Sequence, residues 1–81
     1  MIRTIADDGG RSWDVTVGRE SYGMQVLLFF PKDGGGVRKA MMAASTRLDA
    51  DQELAGLDDA ALRERLEQSV PWESSSPFGS G

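Results

Sequence analysis

The chain has no cysteine and no histidine among its 81 residues. These absences remove at once the thiolate nucleophile, the general base best matched to neutral pH, and the side chains that most often hold zinc. Disulfide and zinc staples, the usual supports of very small folds, go with them. A serine nucleophile would have to use Lys32 or Lys39 as its base, and neither lies in a pattern that brings a serine beside it. The expectation is a non-enzyme, with no catalytic residue, no cofactor-binding residue, no cofactor and no metal ligand to name.

Long hydrophobic runs are also missing. The longest, Val26 to Phe30 with Met24 nearby, is far short of the roughly 20 apolar residues that cross a bilayer. The N-terminus, Met1-Ile2-Arg3-Thr4-Ile5, lacks the apolar stretch and small-residue cleavage site of a secretory signal and reads as a strand. No membrane association is expected, and a cytoplasmic location is the default. Aromatic residues are few, at 7% of the chain. A domain this small buries only about 60% of the surface its unfolded chain exposes, so the core has first claim on most of them.

What the sequence does carry is patterned charge. Residues 1–40 hold six Lys/Arg against five Asp/Glu, and residues 41–81 hold three against eight, so the halves are +1 and −5 in a chain of net charge −4. The acidic half opposes nonspecific binding to nucleic acid or anionic membrane, both of which require cationic surface.

Along the chain, Ile2 to Ala6 is rich in β-branched residues and stops at Asp7-Asp8-Gly9-Gly10, a tight-reversal sequence. Trp13, Val15 and Val17 then alternate with Ser12, Asp14 and Thr16, the period of a half-buried strand with Trp13 anchoring the core. Gly18 and Gly23 bracket a second reversal. Residues 24–30 barely alternate, which predicts a central strand covered on both faces. Pro31 and Lys32-Asp33-Gly34-Gly35-Gly36 end that strand in a turn. A fourth strand is expected over residues 37–45, with a helix as the alternative for that stretch. Asp49-Ala50-Asp51-Gln52 resembles a capping box closed by Gly56, giving one or two helical turns. Asp58 is the expected N-cap of a firmer helix, with Leu57 stapled against Leu62, and Leu62, Leu66 and Val70 on one face until Pro71 ends it. Arg63 is spaced to pair with Asp59 and Glu67.

The expected fold is therefore α+β: a four-stranded antiparallel β-meander, then a short helical turn and a C-terminal α-helix packed on one face of the sheet. It forms a single domain over residues 1–73, followed by a disordered Ser/Gly/Pro-rich tail over residues 74–81.

Two adjacent carboxylate pairs, Asp7-Asp8 and Asp58-Asp59, have the composition of acid–base or divalent-cation sites. Turn chemistry explains the first and helix capping the second. The loop from Lys32 to Gly36 has the glycines of a phosphate cradle but no following Gly-Lys-Ser/Thr, so it reads as a hairpin turn. Candidate interaction residues remain. Trp72, beside the tail, is costly to leave in water, and Arg19 and Tyr22 sit in a connecting loop. Arg38 and Lys39 form the one basic cluster, and Glu64 and Glu67 belong to an acidic helical face.

The function these features favour is a small protein–protein interaction or regulatory module that binds another protein or a second copy of itself. The alternative is a module binding single-stranded RNA or DNA through the basic hairpin ends and sheet aromatics, although no RNP-type signature is present.

Overall fold

The computed structural model describes residues 2–20 and 23–72. Five strands form one antiparallel sheet in sequence order: β1 (Ile2–Ala6), β2 (Ser12–Arg19), β3 (Gln25–Pro31), β4 (Arg38–Met41) and β5 (Val70–Pro71). Helices α1 (Arg47–Gly56) and α2 (Asp59–Glu67) lie between β4 and β5 in the chain. The α+β class and the meander are those expected from the sequence, enlarged by one short strand and by a full helix where a turn or two was expected.

Register follows from alternation. Trp13 pairs with Pro31, Val15 with Phe29 and Val17 with Leu27, so the buried half of β2 and the buried half of β3 lie on one face. The helices cover that face, contributing buried Ala50 and Leu54 from α1 and Leu62 and Leu66 from α2. Ile5, Ala40 and Met42 complete the cluster at its sides, and Leu57 packs against it. Among the described residues no helix is long and apolar enough to cross a membrane.

The first reversal is built by Asp7. Its Oδ1 accepts from the backbone N–H groups of Gly9 and Arg11, both at 2.9 Å, and its Oδ2 accepts from Trp13 Nε1 at 3.0 Å. Gly10 takes the left-handed conformation the turn requires, at φ +83. The indole hydrogen bond first, then the backbone donors and the nearby Arg11 charge, hold the Asp7 carboxyl below its ordinary value of 3.8. Because the folded state prefers the ionised form, this carboxylate stabilises the fold fully above the ordinary value. That contribution is lost as pH falls through the lower folded-state value. In an NMR titration the Asp7 carboxyl is expected to titrate below the ordinary aspartate value, with the Trp13 indole N–H resonance moving along the same curve. An ordinary midpoint, or an indole that ignores it, contradicts the assignment.

Several local expectations are corrected. The cap of α1 is Thr46, whose hydroxyl accepts from Asp49 N at 3.1 Å, so Asp49 is inside the first turn and is not the N-cap. Thr46 lies three residues before an acidic residue, the spacing at which a hydroxyl reaches the free N–H groups of a first turn. Gly56 is the last residue of α1 and lies outside the left-handed region; Leu57, in extended conformation, is the C-cap. Asp58 caps α2 as expected, accepting from Ala61 N at 2.8 Å. Asp59 pairs with Arg3 across the layers instead of with Arg63.

Val70 does not continue the helical stripe. The helix stops at Glu67, the buried Ser69 hydroxyl donates to the Leu66 carbonyl, and Val70 is drawn into the sheet opposite Lys39. The residue before a proline favours extended backbone, and here that extension becomes a fifth strand. The fourth strand is shorter than expected: it ends at Met41, and Met42, buried by the same alternation as Ala40, makes one last backbone bond to Gln25 O at 3.2 Å before the chain leads on to α1. The tail over residues 74–81 lies outside the described residues.

Candidate interaction face

Strand β3 is covered on both faces at its start, as expected, and on one face only at Phe30, where the expectation of two covers fails. Phe29 and Leu27 are fully buried under the helices; on the other side Val26 is fully buried and Leu28 half-buried, whereas Phe30 is 40% exposed and Met24, at the far end of the same alternation, is also exposed. Among the described residues the helices form a single layer, and both spend their buried leucines on the same face. The apolar run therefore has full cover at Val26, Leu27 and Phe29, partial cover at Leu28, and the least at Phe30.

The strand registers place the open-face residues in rows. Ile2 faces Thr16, which faces Leu28, then Lys39, then Val70. In the next row Thr4, Asp14 and Phe30 are aligned, and the same registers carried one residue further bring Val37 and Trp72 into line, with Trp72 N–H donating to Val37 O at 2.8 Å. On the other side Gly18, Val26 and Met41 share a row. A Cβ at Gly18 would stand 2.5 Å from Leu28 Cδ1, so the Leu28 side chain occupies the space the glycine leaves. Ile2 at 69%, Met41 at 49% and Val70 at 50% are exposed on this face, and together with Phe30 they distribute apolar surface over four of the five strands, β2 contributing Asp14, Thr16 and Gly18. Large contiguous apolar patches are uncommon on monomers and mark contact surfaces.

Among the described residues the face carries two ion pairs. Lys39 pairs with Glu20, and the Lys39 ammonium lies 5.5 Å from the centre of the Trp72 ring. Lys32 pairs with Asp14 at 3.4 Å, more exposed than the first and nearer the β2–β3 margin. Each cation on the face thus has its own carboxylate. Beyond the β4 edge, where β5 has run out, a cleft of about 270 Å³ opens among Lys39, Ala40, Met41, Arg65, Gln68 and Val70.

The residues singled out from the sequence do not all converge. Trp72 and Lys39 meet on the open face. Arg38, although next in sequence, points to the helix side, where its guanidinium donates to Ser69 Oγ at 2.8 Å and Ser69 O at 2.7 Å and fastens the turn between α2 and β5. Arg19 is exposed at the end of β2. Glu64 and Glu67 are exposed on α2, across the sheet from Trp72. Tyr22 lies outside the described residues. Sequence reasoning missed Ile2, Phe30, Met41 and Val70 as surface residues. The available signal was the mismatch between an apolar run too long for one buried face and a chain with helices enough for only one layer.

Among the described residues no group of three or more carboxylates is placed to hold a metal ion. No protein-family model, no curated protein and no solved structure matches the chain.

Proposed function

We propose that this chain is a small non-enzymatic interaction module that receives a protein partner on the helix-free face of its sheet. The observation that carries the reading is the set of exposed apolar side chains, Ile2, Phe30, Met41 and Val70, on the sheet face that the helices leave uncovered. An apolar patch with a polar margin is the usual anatomy of a protein contact. The basic side chains favour a protein over a nucleic acid: Lys39 and Lys32 are each neutralised by a neighbouring carboxylate, and Arg38 is spent on Ser69. Nucleic-acid binding instead depends on cations free to displace counterions from phosphates.

The test is retention of protein from a cell extract by the immobilised chain. A double variant, Phe30→Glu with Met41→Glu, is expected to lose most of the retained protein, while Glu64→Lys with Glu67→Lys on the helix side retains it. Equal retention by both variants, or salt-sensitive retention of a single-stranded oligonucleotide that Lys39→Ala abolishes, contradicts the reading.

A further inference from the structure

We infer that the partner on the open face is a second copy of this chain, the two sheets stacking face to face about a two-fold axis; the inference rests on the interaction reading above and specifies its occupant.

Charge distribution supports the choice. Residues 47–68, which contain both helices, hold three arginines against seven carboxylates and so carry −4, the whole net charge of the chain. Two copies meeting through their helix layers would bring these like charges together. Sheet-to-sheet stacking places them on opposite outer surfaces, separated by two sheets and well beyond the roughly 8 Å screening length of physiological salt. The open face itself is nearly neutral, because Lys39–Glu20 and Lys32–Asp14 are internal pairs. A neutral apolar face is complementary to its own copy, as an isologous contact requires.

The ion pairs also lie where such a contact tolerates them. The Lys39 and Glu20 side chains retain only 23% and 25% of their exposure, so much of their desolvation has already occurred within one chain. Lys32 and Asp14 are more exposed and form part of a polar rim.

The area fits a weak contact. The five strands, of 5, 8, 7, 4 and 2 residues, at about 3.4 Å per residue and about 4.8 Å between strands give a face of roughly 400 Å². Two such faces bury about 800–1,000 Å², the small end of protein contacts, which corresponds to a dimer that forms and dissociates with concentration. In aligned sheet packing about 10 Å apart, Phe30 and Met41 of each copy would interdigitate with the apolar rows of the other.

Sedimentation velocity of the intact chain from about 5 to about 500 µM, combined with peroxide oxidation of its methionines read by peptide mass spectrometry, tests this. The expected result is a monomer–dimer shift with rising concentration, a several-fold slower oxidation of Met41 at the high end, and little reaction at buried Met42 throughout. Phe30→Glu is expected to keep the chain monomeric with an unchanged far-ultraviolet circular dichroism spectrum, and Glu64→Lys to leave the shift intact. Because the Met41 measurement uses the unmodified chain, a misfolded variant does not decide the outcome. A monomer at every concentration with constant Met41 oxidation overturns the second copy as occupant. In that case, protein retention from an extract that depends on Phe30 leaves the interaction reading standing with a different partner, and no such retention ends both. A dimer that survives Phe30→Glu and leaves Met41 reactive places the contact elsewhere and overturns the inference.

Discussion

Replacing Phe29 by alanine is expected to cost about 3–5 kcal/mol in urea unfolding, whereas the same change at Phe30, one residue on, is expected to cost under about 1 kcal/mol in dilute solution. The two side chains share a strand, a residue type and a sequence context. They differ in cover. Phe29 is fully buried opposite Val15, beneath the helices, so its truncation leaves a cavity that Leu27, Leu54 and their neighbours cannot fill without moving. Phe30 faces outward opposite Asp14 and loses only partial burial. For a chain of this length total stability is roughly 4–12 kcal/mol, so Phe29→Ala removes from about a quarter of it to all of it. Comparable losses at the two positions in dilute solution would mean that the second face is covered within a single chain, contrary to the fold described. If two copies stack on that face, the cost of Phe30→Ala grows with protein concentration while that of Phe29→Ala is large throughout, because only the native dimer binds through Phe30.

The same strand shows where sequence reasoning reaches and where it stops. The period-two pattern of Trp13, Val15 and Val17 needs only local geometry to be read, as does the cap at Asp58, because in each case the partner of the feature lies within a few residues. The apolar run over residues 24–30 also identifies a strand. Its apolarity on both sides states a demand for two covers, but cannot state whether the second comes from the same chain or from another molecule. The Val70 position was misread for a similar reason. A spacing of four from Leu66 continues a helical stripe on paper, while the decision belongs to Ser69, whose backbone and hydroxyl are held by Arg38 from 31 residues away. The interaction residues divide along the same line: Lys39 and Arg38 look like one basic cluster in sequence, yet alternation along β4 sends them to opposite faces, one to Trp72 and the other to Ser69. The open face was therefore implied by the composition of β3, and its residues became identifiable only once the registers of all five strands were known.

The most far-reaching long-range contact is made by Arg3, and Arg3→Ala is expected to cost about 2–3 kcal/mol despite the residue's place near the N-terminus. From β1 its Nη1 donates to Leu54 O at 3.0 Å and Leu57 O at 2.7 Å, while Nη2 donates to Asp59 Oδ1 at 2.9 Å. The first two are carbonyls at the end of α1, a terminus that leaves acceptors without helical donors and favours nearby positive charge. Helix α1 has no basic residue in its own last turn, so β1 supplies the missing cation. The third contact reaches the first turn of α2, and one guanidinium thus holds the end of one helix, the start of the next and the edge strand of the sheet. The Asp59 part is exposed and contributes about 0.5 kcal/mol or less, so Asp59→Ala is expected to be mild; the carbonyl contacts, part-buried and charge-assisted, account for most of the loss. Arg3→Lys is expected to recover less than half of the stability, because an ammonium at one point cannot span both carbonyls and the carboxylate as the planar fork does. Urea midpoints give the free energies, and amide exchange adds a local readout: in Arg3→Ala the Leu57 amide, which donates to Glu53 and Leu54 at the α1 terminus, exchanges faster by a larger factor than amides in the middle of β2. Full rescue by lysine would show that charge alone suffices and that the fork geometry is incidental. Because Arg3 lies on the packed side of the sheet, its loss also separates stability from binding: a destabilised but folded Arg3→Lys chain keeps the open face intact, and its association measured well below the unfolding midpoint should match that of the unmodified protein.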